Sequence, residues 1–474
     1  MPDLNSETSR NAKVTVESLV AGSGKDWWSF DPATREAFQL RIAAERFSQL
    51  KDRLAQLGKL AKLQGVERIS TFDDLAPLLF QHTVYKSYPI ALLEKGRFDL
   101  LTNWLGGLTT HDLSQVEVKG CTTIAGWFDA LEAQSLLRPN HTSGTSGKLS
   151  VIPRGVDELE LFYDLFPRSG DPVDGAINPL VALRDEAESV PVIFPSYRYG
   201  RAAPQRALQA MQRFFGNKCE LYALYDDHLS PDVAVLAGRV QAAEQRGTLN
   251  QLEISPELLR QFKQSRSAGA GEAEAKFMDR VLENCVARRV YLLAPVPMLY
   301  RWMDAAKARG VDQLFAPGSW VSSGGGTKGA AIPENWKAEA ERFVGSPVRE
   351  GYGMSELTTG SSQCEHNRYH FLPFTVTFLL DAQTGAPLPR EGKQTGRLAV
   401  FDLLPSTYWG GFVTGDRVTM GYDDCPCGRK GAYVEHGIQR FSEVEGGDDK
   451  ISCAGSSDAH EAALEYLLAR AAQI

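Results

Sequence analysis

Short apolar runs alternate with amphipathic helical segments over most of the chain up to about residue 350. Residues 191–195 and 290–295 are two such runs, and apolar side chains recur at helical spacing in residues 204–215. Short runs of β-branched and aromatic residues predict buried strands, and their alternation with helices predicts a parallel sheet with helices on both faces. We therefore predict an α/β fold with a large N-terminal domain built on doubly wound parallel sheets.

From residue 371 onward the pattern changes to closely spaced strands separated by Gly/Pro turns. The strands are expected at residues 374–380, 396–401 and 408–413, and they predict a smaller β-rich subdomain. The pattern divides the chain into a loose N-terminus at residues 1–24, an α/β core at 25–363, a β-rich subdomain at 364–437 and a terminal segment with one helix at 438–474.

Length and composition exclude several classes of protein. A chain of 474 residues with 43% apolar content exceeds what one core usually supports, so at least two subdomains are expected. The net charge of −8 gives no electrostatic reason to expect nucleic acid or an anionic membrane as a partner. Residues 1–13 lack the apolar stretch of a secretory signal, and seven scattered cysteines indicate reduced thiols, so a cytoplasmic location is expected.

A loop rich in hydroxyls and glycine reads His-Thr-Ser-Gly-Thr-Ser-Gly-Lys at residues 141–148. Its glycines let the backbone approach an anion, its hydroxyls donate hydrogen bonds and Lys148 supplies the countercharge. A polyphosphate site has this composition, and so does a flexible linker. The spacing differs from that of P-loop NTPases, since only two residues separate the glycines and leucine follows the lysine. The candidate phosphate-binding residues are Thr142, Ser143, Gly144, Thr145, Ser146, Gly147 and Lys148.

Three further segments follow in the second half of the chain. They read Ser-Gly-Gly-Gly at 323–326, Gly-Tyr-Gly-Met-Ser-Glu at 351–356 and Thr-Gly-Asp at 414–416. Glu356 is a natural ligand for Mg²⁺, which prefers one or two carboxylates together with phosphate oxygens. Tyr352 offers a ring face to adenine and Asp416 can accept two hydrogen bonds, although a core tyrosine and a turn-capping aspartate are the structural alternatives. The candidate nucleotide-binding residues are Gly324, Gly325, Gly326, Tyr352, Gly353, Ser355 and Asp416.

In this order the four segments resemble the core motifs of the adenylate-forming superfamily of acyl-CoA synthetases, adenylation domains and luciferases. The resemblance runs from about residue 72 to residue 455. Tyr-Lys-Ser-Tyr-Pro at 85–89 and Cys-Pro-Cys-Gly-Arg at 425–429 are similar to the phenylacetate-CoA ligase branch and its acyl-protein-synthetase relatives. The resemblance implies that ATP and Mg²⁺ activate an aryl or acyl carboxylic acid as an acyl-adenylate, with Lys148 and Glu356 in catalysis and Asp416 on the ribose hydroxyls.

The resemblance leaves the acceptor of the acyl group open. Transfer to a thiol, transfer to an amine and later reduction would each fit, so CoA, a carrier protein or a partner enzyme is the expected partner. The expected setting is a specialised metabolic pathway, and a homodimer is one option. One alternative is an acyl- or aryl-CoA ligase proper, and another is a non-catalytic fold that binds a carboxylate or a nucleotide. The presence of Lys148, Glu356 and Asp416 favours an enzyme, because a pure binding protein does not need the Mg²⁺ carboxylate.

Four residues after the Glu356 segment form a candidate metal site. They are Cys364, His370, Cys425 and Cys427. Three thiolates and one imidazole are a common ligand set for structural zinc, and zinc is the metal that such ligands select in a reducing compartment. The alternatives are a buried Cys364, a simple turn at Cys425 and ligation by His366 in place of His370.

The end of the chain departs from the superfamily pattern. Residues 446–451 resemble the hinge that precedes the mobile C-terminal domain, but a glycine stands where that hinge carries an arginine. Only one amphipathic helix, around residues 460–471, follows before Ile474. We therefore predict that the C-terminal lid domain is essentially absent, which would slow adenylate formation and impair transfer to CoA.

Overall fold

A computed structural model describes residues 14–142, 148–248, 270–324 and 332–441. The α-helices, numbered α1 to α15 in chain order, are Val16–Val20, Gly24–Trp28, Pro32–Leu50, Ala55–Gln64, Phe72–Leu75, Ile90–Glu94, Phe98–Gly106, Ile124–Gln134, Val156–Leu165, Pro179–Glu186, Ala203–Phe215, Pro231–Arg246, Ala270–Cys285, Val296–Lys307 and Trp336–Val344. The strands, numbered β1 to β15, are Phe80–Gln81, Asn140–His141, Val151–Ile152, Val190–Tyr199, Cys219–His228, Tyr291–Pro295, Trp320–Gly324, Val348–Tyr352, Ser361–Gln363, Tyr369–His370, Thr375–Leu380, Lys393–Asp402, Gly411–Gly421, Tyr433–Val434 and Gln439–Arg440.

One large mixed sheet forms the centre of the described part of the chain. Its strand order is β11-β12-β13-β14-β10-β9-β8-β7-β6-β4-β5, with β1 and β15 also paired to β13. Strands β5, β4, β6, β7 and β8 are parallel, and the pairings from β8 through β9 to β11 are antiparallel. The predicted α/β class with a parallel portion and a β-rich portion is confirmed.

Helices cover both faces of the parallel half. On β4, Ile193 packs in a buried cluster with residues of α13 and α14, whereas its neighbours Val192 and Phe194 pack in a separate cluster with residues of α10 and α11. Successive side chains of a strand point to opposite faces, so these two clusters lie on the two sides of the sheet. This arrangement is the doubly wound one that the sequence pattern predicts.

The antiparallel half packs against the N-terminal helices. Asp31 caps α3 by accepting a hydrogen bond from the Thr34 backbone nitrogen, and Pro32 occupies the first turn. The Gln39 side chain donates to the carbonyls of Pro373 and Thr375 at the start of β11. The residues on both sides of this contact belong to one continuous hydrophobic core.

The α/β portion and the β-rich portion are joined by hydrogen bonds within the sheet. Strands β9 and β10 pair at Gln363 with Tyr369 and at Ser362 with His370, so the sheet continues from one portion into the other. The division at residue 363 stays a prediction. Among the described helices, none is both long enough and apolar enough to cross a membrane.

Candidate functional site

The predicted phosphate loop is carried by the hairpin of β2 and β3. Its antiparallel register pairs Asn140 with Ile152 and His141 with Val151. The Thr142 hydroxyl accepts a hydrogen bond from the Ser150 backbone nitrogen at 3.0 Å, and the Thr142 nitrogen donates to the Ser150 carbonyl at 3.1 Å. Thr142 therefore closes the base of the loop. Five predicted residues lie outside the described residues: Ser143, Gly144, Thr145, Ser146 and Gly147.

Lys148 leaves the loop toward the segment at residues 85–89. Its ammonium nitrogen lies 5.0 Å from the centre of the Tyr88 ring, and the Tyr88 hydroxyl donates to the Leu149 carbonyl at 2.8 Å. Partial burial, and then the positive charge of Lys86, lower the pKa of Lys148. No carboxylate among the described residues lies within ion-pair distance of Lys148, so its charge is available to an anionic ligand.

Glu356 lies in the turn that follows β8. Its side chain is only 8% exposed, and burial raises the pKa of this carboxylate. The groups that oppose this rise are its own backbone nitrogen and the positive charges of Arg440, Lys86 and Arg154. The neighbouring Ser355 hydroxyl donates to the His141 carbonyl at 3.2 Å. The structure thus brings the Glu356 turn against the hairpin of the phosphate loop.

Tyr352 and Asp416 come together at the junction of the two sheet halves. The Tyr352 hydroxyl donates to Asp416 Oδ2 at 2.6 Å, and Arg440 Nε lies 3.0 Å from Asp416 Oδ1. Burial and the Asp416 charge hold the pKa of Tyr352 well above its ordinary value. A carboxylate has about four acceptor positions, so Asp416 can still accept hydrogen bonds from ligand hydroxyls.

The glycine-rich segment 323–326 begins at the carboxyl end of β7. Gly324 pairs with Gly351 of β8, and a Cβ atom at Gly324 would lie 3.4 Å from the Gly351 carbonyl oxygen. A Cβ atom at Gly353 would lie 3.5 Å from Gly360 Cα. Gly324, Gly351 and Gly353 therefore meet at the edge where open α/β sheets bind their ligands. The predicted residues Gly325 and Gly326 lie outside the described residues.

The four predicted metal ligands converge. Their ligand atoms lie within 4.8 Å of one another, with 4.0 Å between the sulfurs of Cys364 and Cys425 and 3.4 Å between Cys427 Sγ and His370 Nε2. Zinc–sulfur bonds of about 2.3 Å place tetrahedral sulfur ligands about 3.8 Å apart, so the cluster fits zinc with small adjustments. The rival His366 is exposed and lies outside the cluster.

The local chain path explains the convergence. Cys364 follows β9, His370 ends β10, and the other two cysteines lie between β13 and β14. The β10–β14 pairing sets His370 opposite Tyr433, and the Gly428 nitrogen donates to the Cys425 carbonyl at 3.0 Å. Burial lowers the pKa of His370, which favours the neutral imidazole that a metal requires.

Sequence reasoning did not select three residues that the structure brings to the site. Lys86 and Tyr88 belong to the segment that carried the family resemblance, but no ligand role was predicted for them. Arg154 follows β3 by two residues and contacts the turn of Glu356. Arg201, two residues after β4, forms ion pairs with the carboxylates of Glu132 and Asp129, which neutralise its charge.

Comparison with known proteins identifies similar solved structures. Three structures of 2-hydroxyisobutyryl-CoA ligase match the fold: an open conformation with 2-HIB-AMP and CoA, a postadenylation state with R3-HIB-AMP and a thioesterification state with 2-HIB-AMP and CoA. In this order their TM-scores are 0.52, 0.53 and 0.51, and each is 11% identical to this chain. Each alignment covers 91% of this chain, and the three cover 80%, 73% and 73% of the ligase chain. No family model and no curated protein matches the sequence. The chain therefore has the fold of 2-hydroxyisobutyryl-CoA ligase.

Proposed function

We propose that this protein activates a carboxylic acid with ATP and releases pyrophosphate, leaving an acyl-adenylate. The observation that carries the proposal is Glu356, a buried carboxylate that has no ion-pair partner among the described residues and is held beside the phosphate-loop hairpin. A carboxylate kept out of water is costly unless a ligand cation completes its environment. The fold supports the same activity, since it matches that of a ligase that binds acyl-adenylates.

In the proposed reaction a carboxylate oxygen of the acid attacks the α-phosphorus of ATP. The bond to the bridging oxygen of the β-phosphate breaks, and pyrophosphate leaves with that electron pair. Lys148 and the loop hold the phosphates, and Glu356 would hold Mg²⁺, which neutralises phosphate charge when bound. Asp416 and Tyr352 orient the nucleoside through the ribose and the base. Of these groups, Lys148, Glu356 and Asp416 are described in the structure, and each supplies the charge that its role requires.

CoA is the acceptor that we propose for the acyl group. The support is the binding of CoA together with 2-HIB-AMP in the structurally similar ligase. A carrier-protein thiol or an amine would use the same adenylate, so the acceptor is measured in a step separate from activation.

The activation step is tested by exchange of labelled pyrophosphate into ATP, screened over aryl and alkyl acids. We expect exchange that requires both Mg²⁺ and one class of acid, because reversal of the reaction needs a bound adenylate. Addition of CoA to the same mixture should convert the active acid into a thioester. ATP binding without exchange across the whole acid panel would contradict the proposal and favour the non-catalytic binding protein.

Tyr352→Phe is expected to weaken ATP binding about 3- to 10-fold with little change in kcat. The substitution keeps the ring and removes the hydrogen bond to the charged Asp416. The expected loss corresponds to about 0.7–1.4 kcal/mol, part of the roughly 1.5–3 kcal/mol that such a bond contributes. The matched control is Tyr433→Phe, which removes a similar 2.6 Å bond to Asp423. Equal ATP affinities for both variants and wild type, measured by calorimetry, would reject the role of the Tyr352–Asp416 pair.

We also propose that the cluster of Cys364, His370, Cys425 and Cys427 binds one structural zinc ion. The support is the convergence of four ligand atoms within 4.8 Å and the burial of three of the four residues. Four protein ligands leave no open coordination position, so the ion would stabilise the fold and take no part in the reaction.

A further inference from the structure

The side chain of Arg154 is completely buried beside the Glu356 turn. It is 0% exposed and lies two residues after β3, the strand that leaves the phosphate loop. One of its terminal nitrogens, Nη2, donates to the carbonyls of Leu357 at 2.9 Å and Ser355 at 3.3 Å. These two residues flank Glu356 on either side. A single guanidinium nitrogen thus bridges the backbone around the carboxylate.

The opposite strand of the hairpin holds the same turn. His141 ends β2, and its carbonyl accepts the hydrogen bond from the Ser355 hydroxyl at 3.2 Å. The hairpin therefore contacts the Glu356 turn from both of its strands, through His141 before the loop and Arg154 after it. Displacement of the hairpin relative to the Glu356 turn would break these contacts.

The buried guanidinium of Arg154 is more costly to the fold than an apolar side chain would be at this position. Its Nε and Nη1 atoms are buried and lack a well-formed hydrogen bond among the described residues, where the Tyr408 hydroxyl is a nearby polar group. Its guanidinium lies 5.4 Å from the centre of the Phe162 ring. A buried arginine whose donors are incompletely satisfied costs folding free energy that an apolar side chain would not. Residues with such a cost are expected where a charge or a fixed geometry serves a site.

We infer that Arg154 is a positioning residue that fixes the Glu356 carboxylate relative to the hairpin of β2 and β3, which carries Lys148, so that metal and phosphate are bound as one unit. The inference rests on the proposed function, because it assigns Glu356 to Mg²⁺. Arg154 acts through the backbone of residues 355–357 and touches neither ligand. Residues that orient a metal ligand in this way typically contribute 10- to 100-fold to metal affinity.

The test compares ATP binding by the full chain as a function of Mg²⁺ concentration. Mg²⁺ increases ATP affinity, and the Mg²⁺ concentration that gives half of this increase is the quantity compared. We expect it to be about 10-fold higher in Arg154→Lys than in wild type. A lysine keeps the charge but lacks the planar donor that bridges two carbonyls. ATP affinity without Mg²⁺ should change less than about 2-fold. Ser355→Ala removes the contact between the turn and the other strand of the hairpin, and it should raise the Mg²⁺ requirement in the same way. If Arg154→Lys does not fold, Ser355→Ala alone provides the test.

The control for buried arginines is Arg35→Lys. Arg35 is also buried, and its Nη2 donates to the Trp27 carbonyl in the N-terminal helices. An unchanged Mg²⁺ requirement in Arg154→Lys and Ser355→Ala, or an equal shift in Arg35→Lys, would overturn the inference. Glu356→Gln separates this failure from that of the proposed function: if it too leaves the Mg²⁺ requirement unchanged, the assignment of Glu356 fails and the inference fails with it.

Discussion

Glu356→Gln is expected to reduce Mg²⁺-dependent pyrophosphate exchange about 100-fold or more and to stabilise the ligand-free protein by about 1 kcal/mol. The loss of activity follows from the loss of a full charge at the proposed metal position. The gain in stability follows because the 8% exposed carboxylate has no ion-pair partner in the part of the chain that the structure describes, and a neutral amide of the same size avoids the cost of burying the charge. Exchange kinetics and thermal unfolding of both forms measure the two effects.

The pH dependence of stability gives a second readout. Burial raises the pKa of Glu356 in the folded protein above its unfolded value of 4.5. Between these two values the folded state holds a proton that the unfolded state releases, so wild-type stability falls as pH rises through this window. Glu356→Gln lacks this group, and its advantage in melting temperature should therefore be larger at pH 8 than at pH 5. An advantage that does not change with pH would contradict the assigned cause.

Glu158→Gln is the matched control, since Glu158 is also buried but is fully engaged. Its carboxylate accepts hydrogen bonds from the backbone nitrogens of Gly155, Ser406 and Thr407. The same substitution here weakens charge-assisted bonds, so it should destabilise the protein and leave the Mg²⁺ requirement near that of wild type. Stabilisation by both substitutions would mean that burial alone, and not the unpaired charge of Glu356, determines the effect.

The parallel half of the sheet was predictable because its signal is local. An apolar run such as residues 191–195 and the helix that follows it carry their periodicity within about twenty residues, and β4 and α11 form there. The pairing of β8 with β9 has no such signal. It joins two short strands on either side of the Glu356 turn, and it is the point at which the parallel pairing of the sheet changes to antiparallel pairing.

The site divides in the same way between local and distant information. Glu356 and Asp416 could be selected because each stands in a recognisable segment whose chemistry suits a nucleotide. Arg154 could not, because its function depends on carbonyls 201 and 203 residues away, and nothing within its own segment distinguishes it from a surface arginine. The choice between His366 and His370 was open for a related reason. Only the pairing of β10 with β14 determines which imidazole meets the thiols.

Removal of one proposed zinc ligand is expected to have the largest effect on stability. Cys425→Ser should lower the free energy of unfolding by roughly 4 kcal/mol or more, because loss of a structural metal removes its binding free energy from the folded state. The N-terminal helices should loosen first. Trp28 of α2 lies against the cluster, with 6.2 Å between the centres of its ring and that of His370, and its carbonyl accepts a hydrogen bond from the Lys430 nitrogen.

Elemental analysis of protein purified without added metal should give one zinc per wild-type chain and much less for Cys425→Ser. The matched control is Cys285→Ser, since Cys285 is equally buried but lies outside the cluster, and this variant should keep its zinc and lose only about 1–2 kcal/mol. Limited proteolysis should then cut the N-terminal helices of Cys425→Ser faster than those of either other protein. Because Glu356 is not one of the cluster's ligands, Cys425→Ser protein that is still folded at low temperature should retain Mg²⁺-dependent ATP binding. Wild-type protein that contains no metal and keeps its melting temperature in chelator and reductant would reject the zinc site.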